Sequence, residues 1–291
     1  MKKGGMGSIY FLDRISPRQG IDRVHLQKLA AKGVNQETLQ ESDLNLFEKE
    51  LNIWIVLEHP HILKMLKICH VRGVLLALMP VCKCSLRDII QQRKKFSEEE
   101  VMTVADQVSA ALAYAYDNFG IVHLDIKPEN VMQPLFFDEE LRVELSDWGI
   151  STIQRSYAEF IASNHSGTPY TQTFNNYGTL PYMSPERLIR GFPSTPLSDI
   201  YSLGMMMLEM LCGALPFNFN SGKDLSSQIL DFDFYQIAKD QLEHQAGDSV
   251  KRLIMRSIHP DPRMRYSDYS EYRFDLKRFT NPLSRVLKRL F

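Results

Sequence analysis

Cysteine is scarce in this chain, with four thiols (Cys69, Cys82, Cys84, Cys212) among 291 residues. That number is too small for a disulfide framework, and no secretory leader is recognisable at the start, so a reducing cytoplasm is the expected location. The pair flanking Lys83 lacks a second pair or a nearby histidine, which argues against a metal site there. Charge of one sign is also missing: the formal net charge is −1. A chain so balanced offers no general attraction to nucleic acid or to an anionic membrane, and neither is expected as a partner. No apolar run is long enough to span a bilayer; the longest, residues 203–217, contains Glu209 and ends in a proline, and it reads as a buried helix. Repeats and low-complexity segments are absent as well. What remains is 44% hydrophobic residues, enough for a full core in one large domain or two lobes.

Against that background one stretch stands out. Residues 121–130 read IVHLDIKPEN and place a carboxylate, an ammonium and a carboxamide (Asp125, Lys127, Asn130) in a run too polar for a core strand. A second apolar stretch is broken by Ser146, Asp147, Trp148 and Gly149, so another carboxylate precedes a glycine that lets the backbone turn sharply. Read singly, Asp125 and Asn130 are also what a capped turn would use. Together the two segments carry what phosphoryl transfer from a nucleotide requires: a group to orient the hydroxyl, a cation near the transferred phosphate, and oxygen ligands for magnesium.

In this order the motifs resemble the eukaryotic-type serine/threonine protein kinase family. HLDIKPEN stands where that family carries HRDxKxxN, DWG stands for DFG, and GTLPYMSPE is similar to the end of its activation segment. The resemblance covers essentially the whole chain, from Gly4 to about Phe279. It implies an α+β bilobal fold over residues 1–291, with a small β-rich N-lobe (1–79), a hinge (80–82) and a larger α-helical C-lobe (83–291). It implies ATP and Mg as cofactors and a protein substrate with a Ser or Thr acceptor. By the resemblance Asp125 is the catalytic base, Lys127 steadies the γ-phosphate, Asn130 and Asp147 hold the metal, and Thr179 contacts the catalytic loop. Gly4 and Gly7, with Ile9 behind them, match the end of a glycine-rich phosphate loop. Leu78 would be the gatekeeper, and an adenine ring would bond the carbonyl of Met79 and the amide of Val81. Glu186 would pair with Arg265, Asp199 would bond the catalytic-loop backbone, and Trp54, Met65, His123 and Trp148 would stack between the lobes, unless they are ordinary core.

Three departures shape the expected activity. Lys2 takes the place of the loop's first glycine, and no strand is expected before that loop. In residues 21–29 (IDRVHLQKL), apolar at alternate positions like a strand, the family's strand lysine falls on Gln27, which would leave the helix residue Glu50 only a neutral partner. Leu124 replaces the arginine that receives an activating phosphate, so activity independent of activation-segment phosphorylation is expected. Loss of the lysine implies slow turnover by a serine/threonine kinase. The alternative is a pseudokinase scaffold that transfers nothing; a small-molecule phosphotransferase would have no need of GTLPYMSPE.

Overall fold

In the computed structural model the described residues are 2–4, 7–12, 28–35, 51–71, 74–135, 141–148, 152–153, 180–189, 195–217 and 224–280. The small lobe is a five-stranded antiparallel sheet in the order β1-β2-β3-β5-β4. Its strands are β1 (Lys2–Gly4), β2 (Gly7–Leu12), β3 (Leu29–Asn35), β4 (Lys67–Val71) and β5 (Val74–Pro80). The strand expected to be missing is therefore present in short form: Lys2 pairs with Ile9, Lys3 with Ser8, and Gly4 with Gly7 at the mouth of the hairpin. A three-residue edge is enough here because β2 is held on its other side by β3 along five residue pairs, Ser8 to Leu12.

β5 shows why this sheet can cover a cleft. Its burial alternates, with Leu75, Ala77 and Met79 inside and their neighbours half-buried, as the two-residue period of a strand dictates. In the ladder with β3, Ala30 faces Met79 and Lys32 faces Ala77. Directly opposed residues share a sheet face, so Ala30, Lys32, Ala77 and Met79 line one face.

The large lobe follows β6 (Cys82–Ser85) and is helical: α1 (Leu86–Arg93), α2 (Glu98–Phe119), α3 (Pro185–Leu188), α4 (Pro196–Cys212), α5 (Leu225–Leu230), α6 (Phe232–Leu242), α7 (Asp248–Ser257) and α8 (Tyr269–Thr280). α2 starts where the sequence signals it. The Ser97 hydroxyl accepts from the Glu100 amide and the Glu100 carboxylate accepts from the Ser97 amide, a reciprocal cap. It ends on Gly120 at φ 67°, a left-handed turn that glycine adopts without strain. Val101, Val104, Ala105, Val108, Ala111, Leu112 and Ala115 form its buried stripe. α4 is buried nearly throughout, its four methionines included, as expected for soft core filler. Among the described residues no helix is long and apolar enough to cross a membrane. Short strands β7 (Ile121–Val122), β8 (Val131–Pro134) and β9 (Glu144–Leu145) lie between α2 and the DWG segment, and β10 (Thr152–Ile153), beyond it, pairs back onto β7.

Candidate active site

The polar run after β7 is held by a buried acid from α4. Asp199 accepts the amide of His123 at 2.8 Å, the amide of Leu124 at 2.7 Å and the hydroxyl of Tyr269 at 2.8 Å. Leu124 sits at φ 67°, the left-handed region that a branched residue avoids. That conformation costs on the order of 1–3 kcal/mol and persists only where surrounding bonds impose it. The result seats Asp125 on a rigid turn, its side chain 8% exposed. Its Oδ2 lies 2.7 Å from Lys127 Nζ and accepts from Asn130 Nδ2 at 2.9 Å, while the same amide donates to the Asp125 carbonyl at 2.8 Å. His123 Nδ1 accepts from the Asp125 amide, so Nε2 carries the hydrogen and donates to the Ser146 carbonyl. Burial holds this imidazole below its ordinary pKa, outweighing the acids Asp199, Asp125 and Asp147 around it.

The DWG segment is tied to the same turn. Both the amide and the hydroxyl of Ser146 donate to the Asn130 carbonyl, at 2.8 and 2.9 Å. Asp147 follows at φ 62°, and its Oδ1 receives Lys32 Nζ from β3 at 2.6 Å. Burial alone would raise the Asp147 pKa, but the Lys32 ammonium, with His123 and Lys127, holds it below the ordinary value. The acid is therefore ionised, and its side chain remains 38% exposed. Asp125 and Asn130 share one turn, and the Ser146 bonds tie to it the segment that carries Asp147.

This geometry corrects the strand-lysine assignment. Gln27 and Glu50 lie outside the described residues, but β3 runs through LAAKGVN, and the lysine it brings to Asp147 is Lys32. The spacing Ala30-x-Lys32 is the A-x-K of the family's VAIK pattern, and it was the signal available. Two hinge assignments change as well. Leu78 faces Ala31 across the ladder, so it lies on the sheet face opposite Lys32, and Met79 occupies the cleft-side position. The Val81 amide donates to the Lys28 carbonyl at 2.9 Å and is not available to a ring. Gly4 and Gly7 close the β1–β2 hairpin, and Ile9 stands opposite Lys32 in the ladder. Thr179 lies outside the described residues.

The expected ion pair of the large lobe is in place. Glu186 and Arg265 form a two-pronged buried pair at 2.9 and 2.8 Å. Trp54, Met65, His123 and Trp148 are all buried, with the His123 and Trp148 rings 4.6 Å apart edge to face. Sequence reading missed a second guanidinium site: Arg87 of α1 donates to Glu129, beside the catalytic turn, and to Glu209 of α4, each at 2.6 Å, and also reaches the Tyr182 hydroxyl. It missed Arg187 too. Neither has a motif of its own; each is one arginine whose partners come from distant segments.

The donor set suits a magnesium ion. Asn130 turns its nitrogen to Asp125, leaving Oδ1 on the other side of the amide, and Asp147 keeps Oδ2 beyond the oxygen bound by Lys32. Among the described residues no cluster of three or more His, Cys, Asp or Glu forms a protein cage. Two hard oxygen ligands without a cage fit a cation that keeps its waters and arrives with phosphates.

Comparison with known proteins agrees with this chemistry. The family model for the protein kinase domain matches residues 16–273. Serine/threonine-protein kinase 33 of Bos taurus is 27% identical over 250 residues, covering 84% of this chain and 48% of that protein. The carbon catabolite-derepressing protein kinase of Candida glabrata is 31% identical over 230 residues, 79% of this chain and 34% of the relative. Serine/threonine-protein kinase PrkC of Bacillus subtilis is 26% identical over 276 residues, 94% of this chain and 38% of the relative. The chain thus spans about half the length, or less, of these curated relatives. From the match over residues 16–273 and the two-lobed fold, the chain belongs to the protein kinase domain family.

Proposed function

We propose that this chain transfers the γ-phosphoryl group of ATP to Ser or Thr hydroxyls of a protein substrate, with magnesium held by Asn130 and Asp147. The observation that carries the reading is the 2.6 Å contact between Lys32 and Asp147, which links the small-lobe sheet to the large-lobe loop across the cleft. A bound magnesium ion would screen the phosphate charges. Asp125 orients the acceptor hydroxyl and takes its proton, Lys127 offsets charge on the transferred group, and Lys32 supplies a second cation on the opposite wall. At the hinge, neighbouring residues of a strand send their backbone groups to opposite edges. With the Val81 amide turned to Lys28, the Pro80 carbonyl and the Cys82 amide are the groups assigned to the adenine ring. Ser/Thr preference is supported by KPEN, by GTLPYMSPE and by the printed names of the relatives.

Slow turnover was expected from the glutamine at position 27, and with Lys32 on Asp147 that ground is gone. The scaffold alternative loses its main support for the same reason. Leu124 in the catalytic turn keeps the expectation that phosphatase treatment leaves activity unchanged. The test is incorporation of radiolabel from ATP with magnesium into a generic Ser/Thr protein, run beside Asp125→Asn. Label falling in the variant by about 10²- to 10⁴-fold, as loss of a general base does, is the expected result. No label from the unmodified chain, together with no thermal shift on adding nucleotide, would leave the scaffold reading.

A further inference from the structure

Leu124 stands where the family carries an arginine, yet a guanidinium still reaches the catalytic turn. Arg187, one residue past Glu186 in α3, donates from Nη1 to the Leu124 carbonyl at 2.6 Å. Arg187 is 7% exposed, and the acids whose fields reach it are Asp199, Asp125 and Glu186. Leu124 is the residue at φ 67°, and its amide is already bound by Asp199. Its two backbone polar groups are thus gripped from opposite sides, the amide by an acid of α4 and the carbonyl by a base of α3. The neighbour of Arg187 is itself fixed, because Glu186 is locked to Arg265.

We infer that Arg187 is a positioning residue for Asp125: its guanidinium holds the strained Leu124 turn from the carbonyl side, so the end of the activation segment sets the direction of the catalytic carboxylate. No phosphate is needed for this, since the cation comes from α3 and its counter-charges are built in. The inference rests on the phosphoryl-transfer reading for its kinetic consequence but not for its structural one.

The experiment compares the full chain with Arg187→Met and Arg187→Lys, measuring kcat, the KM for ATP, and amide hydrogen exchange at residues 123–126. In the methionine variant kcat is expected to fall about tenfold to a hundredfold, the cost of misplacing a reacting group by an ångström or so. The KM for ATP should stay within about twofold, since the bond Arg187 makes is to the Leu124 carbonyl and a lost turn bond of this kind acts on orientation. Exchange at residues 123–126 should quicken while α2 and α4 keep their protection, and lysine, which keeps a donor and the charge, should recover part of kcat. Unchanged kcat and protection in the methionine variant would overturn the inference. So would a kcat loss accompanied by equal loosening of α2 and α4, which marks Arg187 as general packing. Should the methionine variant fail to fold, the lysine variant decides: local loosening at residues 123–126 supports the role and unaltered protection there overturns it. If the unmodified chain transfers no phosphate, the kinase reading fails and the exchange comparison still tests the pin.

Discussion

The two walls of the cleft are built on different principles. On the large-lobe wall the frame of the site is anchored by buried polar contacts: Asp199 under the catalytic turn, Arg265 under Glu186, Glu209 under Arg87. On the small-lobe wall the described contribution is one lysine, carried on a strand of small residues and reaching Asp147 across the gap. The difference implies that damage to the first wall should register as lost fold, and damage to the second as lost chemistry with the fold intact.

Breaking the Glu186–Arg265 pair tests the first half and carries the largest expected effect. Arg265 is fully buried at its side chain, and besides Glu186 it donates to the carbonyls of His259, Leu197 and Pro260. Arg265→Met leaves the Glu186 carboxyl in the interior without its counter-charge, with the Ser198 hydroxyl still donating to it, and burial then pushes its pKa up because the guanidinium is what holds it below the ordinary value. Removing one partner of such a pair costs about 3–5 kcal/mol, to be read from denaturant unfolding of the full chain. A cost below about 1 kcal/mol, the level of an exposed pair, would place this wall on the same footing as the other.

Lys32→Met tests the second half. The lysine is 14% exposed and its partner 38%, so the carboxylate it leaves behind has water available. Stability should change little, while kcat falls about 10²- to 10³-fold, the usual loss when one preorganised electrostatic contact to developing charge is removed. A melting temperature that drops in step with kcat would erase the contrast between the walls.

The same contrast decided what could be read from the sequence. Large-lobe elements announce themselves: Ser97 with Glu100 marks the start of α2, Gly120 its end, and KPEN and SPE are short ordered strings with side-chain chemistry of their own. β3 does not. LAAKGVN has two alanines and a glycine, residues depleted in strands, whereas the upstream IDRVHLQKL alternates convincingly. Alternation drew the lysine position to Gln27, whereas the lysine that reaches Asp147 is Lys32, in the strand Leu29–Asn35. The hinge slipped by one for a related reason. Every residue of VLLALMP is apolar or proline, so the pattern holds no clue to which face each belongs, and only the pairing of Ala30 with Met79 fixes it. Arg87 and Arg187 were illegible because their meaning lies in partners 42 to 122 and 63 positions away.

Acid should expose the large-lobe wall without any substitution, with the smallest effect of the three. His123 is buried and neutral, donating to Ser146 and accepting from Asp125, and its folded pKa lies below the ordinary 6.5. Below that value the unfolded chain binds a proton that the folded chain refuses, so stability is full above about pH 6.5 and declines as pH falls through and beneath it. One such group can remove at most about 1.4 kcal/mol per pH unit. His59 and His61, also depressed by burial, add in the same direction. Asp199 opposes them at lower pH, because burial raises its pKa and the folded state then binds a proton more readily than the unfolded one. Unfolding curves between pH 7.5 and 5.5 should therefore show falling stability, and His123→Phe, which keeps an aromatic ring against Trp148, should flatten part of that fall. If the variant falls as steeply as the unmodified chain, the sensitivity belongs to the half-buried pair His59 and His61 rather than to the residue beneath the catalytic turn.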